Sequence, residues 1–566
     1  MADVREVVLL DHMDTRRFRV QAAGRLRSRI KLAIRWLVVA TSSIPLLRDL
    51  YVAIYRMHVR YAVRVLRKFS GIQSIYATGS VALDNIRPGI SDIDLTINGE
   101  FSDEEQMKLV NALRGLSRLS PLYDTLLGQC VQTIPALRSL YETDYFFQYR
   151  FDQGRDRWKL LHGEDVFALL PPVPADRLAG GFYTEARTWW CYFVKSAFGE
   201  GPMADDAIFR RTIAYKSHAG ILNVASALNT NVANDEREDV LASALAMATG
   251  AEGEFLQRLV ATVNKPHRAY DGDIQQDTFS ANLRVLEQIH AELPATASFQ
   301  PVAPFMHVDA SRGEMFFAPE TENHVRELVE RVQKEWAGFK SAFLVPSISF
   351  FNPDDLVLLL EVSPDSLPRL SQIRELCAWQ RRATRTFKQR IALFLLLPNG
   401  AYQLEIVSTI ELWHHLLCPA ANPEVFALLH NQEFVIAGKP RSEPEQPQWT
   451  RFANDLVAEE LMIRRSAMAK MSSMGDMNSL ETLRNLWRHL QLEIIEQSVS
   501  FGHAFVPLTL PAMQRAVQLW GLPDTSLFDH LREAYIAELN GQPTDIRPLI
   551  EHAMNLFANM HLQSQR

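Results

Sequence analysis

YATGSVALDNIRPGISDIDL, residues 76–95, is the stretch on which the reading of this chain turns. A short apolar run enters the pair Gly79-Ser80. Eleven residues separate the serine from Asp92-Ile93-Asp94, which opens a second apolar run. Side chains alternate across a strand, so Asp92 and Asp94 are expected on one face with Ile93 toward the core. Their Cα atoms then stand about 6.6 Å apart. Carboxylates at that spacing suit one or two divalent cations. Magnesium favours one or two carboxylates plus substrate phosphate oxygens over an all-protein cage. Gly79 lacks a Cβ and lets the backbone approach a ligand closely. The Ser80 hydroxyl and neighbouring N–H groups can donate to a phosphate, and SVALDNI can start a helix whose first N–H groups favour anions.

Working outward, IQSIYATG reads as a strand entering the turn, and ISDIDLTING as a second strand ended by Asn98-Gly99. SDEEQMKLVNALRGLSRL begins with a serine cap and acids in its first turn, a helix signature. A third strand is expected around Leu126 to Thr133, and RWKLLHGEDVFALLPP closes the unit in a proline stop. Residues 15–70 carry apolar residues at helical spacing with arginines between them, broken at Pro45 and closed by Ser70-Gly71. From about 180 to 335 the pattern is helical, with Trp189-Trp190 expected in the core.

A second set of segments follows in the same order. FLVPSISFFNPDDLVLLLEV (343–362) resembles a worn copy of the opening stretch. VSTIELWHHL (407–416) parallels VQTIPALRSL (131–140), and FALLHNQEFVIAG (426–438) parallels WKLLHGEDVFALL (158–170). The offsets, from Ser80/Ser347, Val131/Val407 and His162/His430, are 267, 276 and 268 residues. Order-preserved repeats imply duplication of a structural unit. In the copy, Pro346-Ser347 replaces Gly-Ser. Pro353 stands where Asp92 would be, and Asp355 takes the place of Asp94.

Gly79-Ser80, the gap and Asp92-Ile-Asp94-Leu together resemble the signature of the DNA polymerase β-like nucleotidyltransferase superfamily. The resemblance is strongest over residues 70–171. It implies that Gly79 and Ser80 hold a triphosphate, that Asp92 and Asp94 bind Mg2+, and that a third acid on a neighbouring strand serves the acceptor. Asp124 is the candidate for that third acid, with Glu142 and Asp144 behind it. If the strand is LGQCVQT, Gln129 and Gln132 fill the places where an acid is expected, and an amide is neither a base nor an anionic ligand. Lys216, on a helix after this unit, matches a position where family members contact the triphosphate; an ordinary surface lysine is the other reading. The expected fold is α+β, with tandem nucleotidyltransferase-like mixed-sheet domains each followed by a helical domain. The expected boundaries are a basic helical lead-in at 1–70, a catalytic domain at 71–175, a helical domain at 176–338, a degenerate nucleotidyltransferase-like domain at 339–442 and a C-terminal helical domain at 443–566.

The remaining signals bound the function. The 566 residues carry a net charge of −7, yet residues 1–70 hold 15 Lys/Arg against 5 Asp/Glu, or +10, leaving −17 for the rest. Residues 15–70 therefore suit contact with a polyanion, or else cover an acidic face of the same protein. No segment reads as a transmembrane span or signal peptide. The cysteines, Cys130, Cys191, Cys377 and Cys418, form neither a zinc motif nor a disulfide framework, which fits a cytoplasmic location. His162 and its counterpart His430 read as turn or packing residues, and the adjacent pair His414-His415 as no metal site. The expected activity is magnesium-dependent transfer of a nucleoside monophosphate from an NTP, with ATP favoured, to an acceptor hydroxyl, releasing pyrophosphate. The acceptor is open among a small molecule, a protein side chain and an RNA end. The alternative is a catalytically inactive nucleotidyltransferase-like binding or assembly protein. A third carboxylate near Asp92 and Asp94 would discriminate the two.

Overall fold

The computed structural model describes residues 22–100, 157–172, 175–199, 206–230, 237–264, 274–296, 307–308, 319–346, 356–387, 391–404, 432–441 and most of 505–564, with isolated positions between 105 and 132 and between 483 and 494. The fold is α+β, and two compact units divide the chain at Ile289/His290.

In the first unit, α1 (Ala22–Thr41) and α2 (Pro45–Leu66) precede strand β1 (Ile72–Ala77). Pro45 at the first position of α2 loses no helical hydrogen bond there, which is why the break at Pro45 is a helix start. The short helix α3 (Gly79–Ala82) and strand β2 (Leu95–Gly99) follow. Strands β3 (Val131–Gln132) and β4 (Lys159–Gly163) complete a sheet of order β3-β2-β1-β4. β1 runs antiparallel to β2 and β4, and β2 runs parallel to β3.

One face of this sheet is the core. Ile75, Ala77, Leu95 and Ile97 pack against Tyr55, Val59, Ala62 and Leu66 of α2, and against Leu109, Leu113 and Leu116. Each Leu, Ile or Val among them contributes about 1.5–3 kcal/mol on full burial. α2 is therefore part of this unit's core. The described positions between 105 and 119 are helical, as the sequence pattern predicts. Helices α4 (Ala175–Phe198), α5 (Ala207–Thr230), α6 (Arg237–Met247), α7 (Gly250–Asn264) and α8 (Ile274–Thr296) follow. α4 and α5 pack so closely that a Cβ on Gly220 would run into the Trp189 ring. Trp189 and Trp190 are core residues, as expected.

The second strand is shorter than the sequence suggests, since it starts at Leu95 and not near Ile90. The cause is local. The N–H groups of Ile90 and Ser91 both donate to Arg87 O, curling residues 87–91 into a turn. β1 has also ended at Ala77, so the only further rung is Thr78 N–H to Asp94 O, at 3.0 Å.

The second unit contains β5 (His307–Val308), α9 (Pro319–Glu335), β6 (Phe339–Pro346), β7 (Leu356–Val362), α10 (Leu370–Phe387), β8 (Ile391–Leu397), β9 (Gly400–Gln403) and β10 (Val435–Ala437). After these come β11 (Phe505–Val506), α11 (Leu510–Leu519), α12 (Ser526–Leu539) and α13 (Arg547–Ser564), with a helical core of their own. Its main sheet has the order β10-β6-β7-β8-β9. β6 runs antiparallel to β7 and β10, β7 parallel to β8, and β8 antiparallel to β9. All of β8 and all but Glu361 of β7 are buried, the continuous apolar pattern of a central parallel pair. Strand for strand, β8-β7-β6-β10 repeats the order and directions of β3-β2-β1-β4. The place of β3 is taken by β8, whereas the sequence match to Val131 was Val407. Val407, Ser347, Pro353, Asp355, His414, His415 and His430 lie outside the described residues.

Candidate active site

The face of the first sheet opposite its apolar core is polar. Alternation puts Ser74, Tyr76 and Thr78 of one strand beside Asn98, Thr96 and Asp94 of the next, in register Ser74 with Asn98 and Tyr76 with Thr96. Asn98 Nδ2 donates to Ser74 Oγ at 3.1 Å, fully buried. Tyr76 donates to Asp165 Oδ1 at 2.8 Å, and burial, reinforced by that carboxylate, pushes its hydroxyl pKa well above the ordinary phenol value. Asp92 and Asp94 stand at the end of this face, half-buried, while Ile93 between them is fully buried. The expected alternation therefore holds although the pair precedes the strand. The Ile93 N–H donates to Leu122 O at 3.2 Å, which fixes the segment that holds both acids.

The turn after β1 meets those acids. Gly79 has φ +58°, a left-handed conformation suited to glycine, and a Cβ there would stand 3.2 Å from Asp94 Oδ2. Gly79 thus holds the backbone directly against the carboxylate. Ser80 follows, half-buried, in the first turn of α3.

Lys216, on α5, joins the same site. Burial lowers its pKa, the negative charges of Asp92 and Asp94 pull it back up, and Arg237 and Arg35 press it down. These charges act on one another only because the fold gathers them. Arg237 lies over the Trp189 ring at 4.8 Å, and the buried Trp189 indole donates to Glu185 at 2.7 Å.

Three further residues position this site, and the sequence reading did not single them out. Tyr55 of α2 donates to Ser91 O at 2.7 Å and accepts from the Gly89 N–H at 3.2 Å. Its pKa is pushed up to about 12 by burial first, with the Asp92 charge adding to it. Arg35 of α1 donates to Gly89 O and to Asp206 Oδ2, each at 2.7 Å. Asp206 in turn accepts from the N–H groups of Ile208 and Phe209 through Oδ1, capping α5. The signal for Tyr55 and Arg35 was a hydroxyl or cation among the apolar positions of a helical pattern, and for Asp206 an acid just before a helix start, the place of a cap.

Of the residues expected from sequence, Gly79, Ser80, Asp92, Asp94 and Lys216 come together. Asp124, Gln129, Glu142 and Asp144 lie outside the described residues. Of the strand beside β2, only Val131 and Gln132 are described, and neither is an acid. Among the described residues no group of three or more His, Cys, Asp or Glu is placed to hold a metal ion.

Residues 59–150 match the nucleotidyltransferase-domain family. No curated protein matches the chain. Among solved structures, it is similar to a spectinomycin adenyltransferase from Enterococcus faecialis crystallised with ATP and spectinomycin. That likeness has 13% identity and a TM-score of 0.29, and covers 42% of this chain and 98% of the other. The Gly-Ser turn and the paired acids fall inside the span that matches the nucleotidyltransferase-domain family.

Proposed function

We propose that the first unit transfers a nucleoside monophosphate from an NTP to an acceptor hydroxyl. The observation that carries this reading is the Gly79 turn set against Asp94, with Asp92 and Lys216 in the same electrostatic site. In the reaction, an acceptor oxygen bonds to the α-phosphorus, the bond from that phosphorus to the bridging oxygen of the β-phosphate breaks, and pyrophosphate leaves. The acceptor proton passes to a base, for which Asp124 is the proposed residue. The N–H groups and hydroxyl of Gly79-Ser80 hold phosphate oxygens, and Lys216 supplies positive charge to the triphosphate. Asp92 and Asp94 fit Mg2+, because both carboxylates are half-buried and Asp94 lies against a turn residue without a Cβ, an arrangement suited to an ion whose coordination phosphate oxygens complete. Bound there, the ion supplies charge neutralisation for the transferring phosphoryl group. ATP is the proposed donor.

The second unit is, on this reading, a degenerate nucleotidyltransferase-like domain. Its sheet repeats the strand order and directions of the first, which supports a tandem arrangement. Its sequence lacks the glycine and the first acid, so it serves structure or binding. A cytoplasmic location belongs to the same proposal; among the described residues no helix is long and apolar enough to cross a membrane.

The test is incubation of the protein with each α-32P-labelled NTP and fractionated cell extract. Label from one nucleotide should pass to an acceptor in small-molecule, protein or RNA fractions, with pyrophosphate formed in equal amount. Absence of both label transfer and pyrophosphate in every fraction would overturn the reading.

A further inference from the structure

We infer that the outer face of helix α2 is a docking surface for an anionic lipid bilayer. The inner face of α2 is spent on the sheet, through Tyr55, Val59, Ala62 and Leu66. Its opposite face is also apolar. Leu46 is 79% exposed, Leu50 54%, Met57 57% and Tyr61 46%. At 100° per residue these four fall within a sector of about 60°, a continuous stripe roughly 22 Å long. A stripe of that width and length, left exposed among the described residues on a helix anchored from behind, calls for an apolar medium.

Charge identifies the medium. The same face continues through Arg64 and Lys68, and Arg60 and Arg67 flank it; all four are exposed. From Pro45 to Lys68 the sequence has six basic residues against one acid, Asp49. Apolar side chains beside arginines and lysines are the composition of a helix that lies in the plane of a membrane interface, with leucines among the acyl chains and cations among anionic headgroups. Apolar side chains are also exposed just before α2, at Ile44 (49%), and on α1, at Trp36 (52%), a residue type suited to the headgroup level. A second copy of the chain is the poorer occupant, because two such faces would bring five net positive charges against five. Docking of this kind is peripheral and does not depend on the nucleotide site.

The experiment is co-sedimentation of the full chain with vesicles of phosphatidylcholine alone and with 30% phosphatidylserine, at low and high salt. Binding is expected only to the anionic vesicles and should weaken with salt. Leu46→Asp and Leu50→Asp should each reduce partitioning about tenfold or more, from the loss of one buried leucine. Both variants should melt with the wild type and keep its nucleotide transfer. Failure of the wild type to bind anionic vesicles overturns the inference, as does binding that the variants leave unchanged. A dimer that Leu46→Asp dissociates, without vesicle binding, would assign the face to a second copy instead. A lowered melting temperature in either variant, without vesicle binding, would mean that the chain covers this face itself.

Discussion

At the scale of single residues, charge placement decides the behaviour of the site. Asp92→Asn and Asp94→Asn keep side-chain size and remove one carboxylate each. Each should lower transfer at least about a hundredfold, the magnitude typical of losing one preorganised electrostatic group. The melting temperature should hold, because the relief of like-charge repulsion between the acids offsets the lost partner of Lys216. Wild-type transfer rates in either variant would exclude the two acids from the chemistry. His218 is a residue of another kind. It lies buried on α5, with Nδ1 2.9 Å from Asn282 Oδ1 and its ring edge-on to Phe255. Burial lowers its pKa to about 4, from an ordinary value near 6.5. The unfolded chain therefore takes up the proton first as pH falls. Stability is intact above pH 6.5 and declines as pH drops toward 4, by roughly 3 kcal/mol in all for this group. Urea melts between pH 7.5 and 4.5 should show that decline in the wild type, and His218→Gln should reduce it, with a remainder from His290, whose pKa burial also lowers to about 4.

At the scale of elements, two helices of the basic lead-in act on a loop that the motif itself does not contain. Tyr55 bridges Gly89 and Ser91, and Arg35 holds the carbonyl of Gly89. Gly89 has φ +77°, and the turn it occupies sets where Asp92 emerges. Tyr55→Phe keeps the ring packed in the core and removes both hydrogen bonds. The expected cost is about 1–2 kcal/mol, read as a melting temperature lowered by a few degrees. The Gly89 N–H and Ser91 carbonyl lose their anchor, so transfer should fall by more than the stability loss explains, with binding of the NTP less affected than turnover. Unchanged turnover in a correctly folded Tyr55→Phe protein would show that the loop needs no clamp. α2 thus works on two sides, its inner face fixing the loop and its outer stripe left for a bilayer.

At the scale of the whole molecule, the two sheets share strand order and direction while differing in the residues that matter for chemistry. If the second unit is a degenerate copy, Asp355→Ala should leave nucleotide transfer unchanged when assayed beside Asp94→Asn, because Pro353 and Pro346 stand where the partner acid and the glycine are needed. A loss as severe as that of Asp94→Asn would make the second unit a live site. The sequence by itself determined the motif's layout: Gly79, Ser80, Asp92 and Asp94 are close in the chain, so their juxtaposition follows from one strand, one turn and the start of the next strand. It also determined the strand at Ile72–Ala77 and the apolar helices, since periodicity is a local property. Only the tertiary structure decided what depends on distant parts of the chain meeting. Lys216 comes 122 residues after Asp94, and whether its charge answers the acids or faces solvent depends on how α5 packs, which no local pattern encodes. Pro88-Gly89 marks a turn in the sequence, but how far that turn runs into ISDIDL depends on the Ile90 and Ser91 N–H groups closing on Arg87 O, which the apolar pattern of the following residues does not encode. Tyr55 and Arg35 escaped the sequence reading because a single polar atom inside an apolar face has meaning only once its partner, more than thirty residues away, is in place.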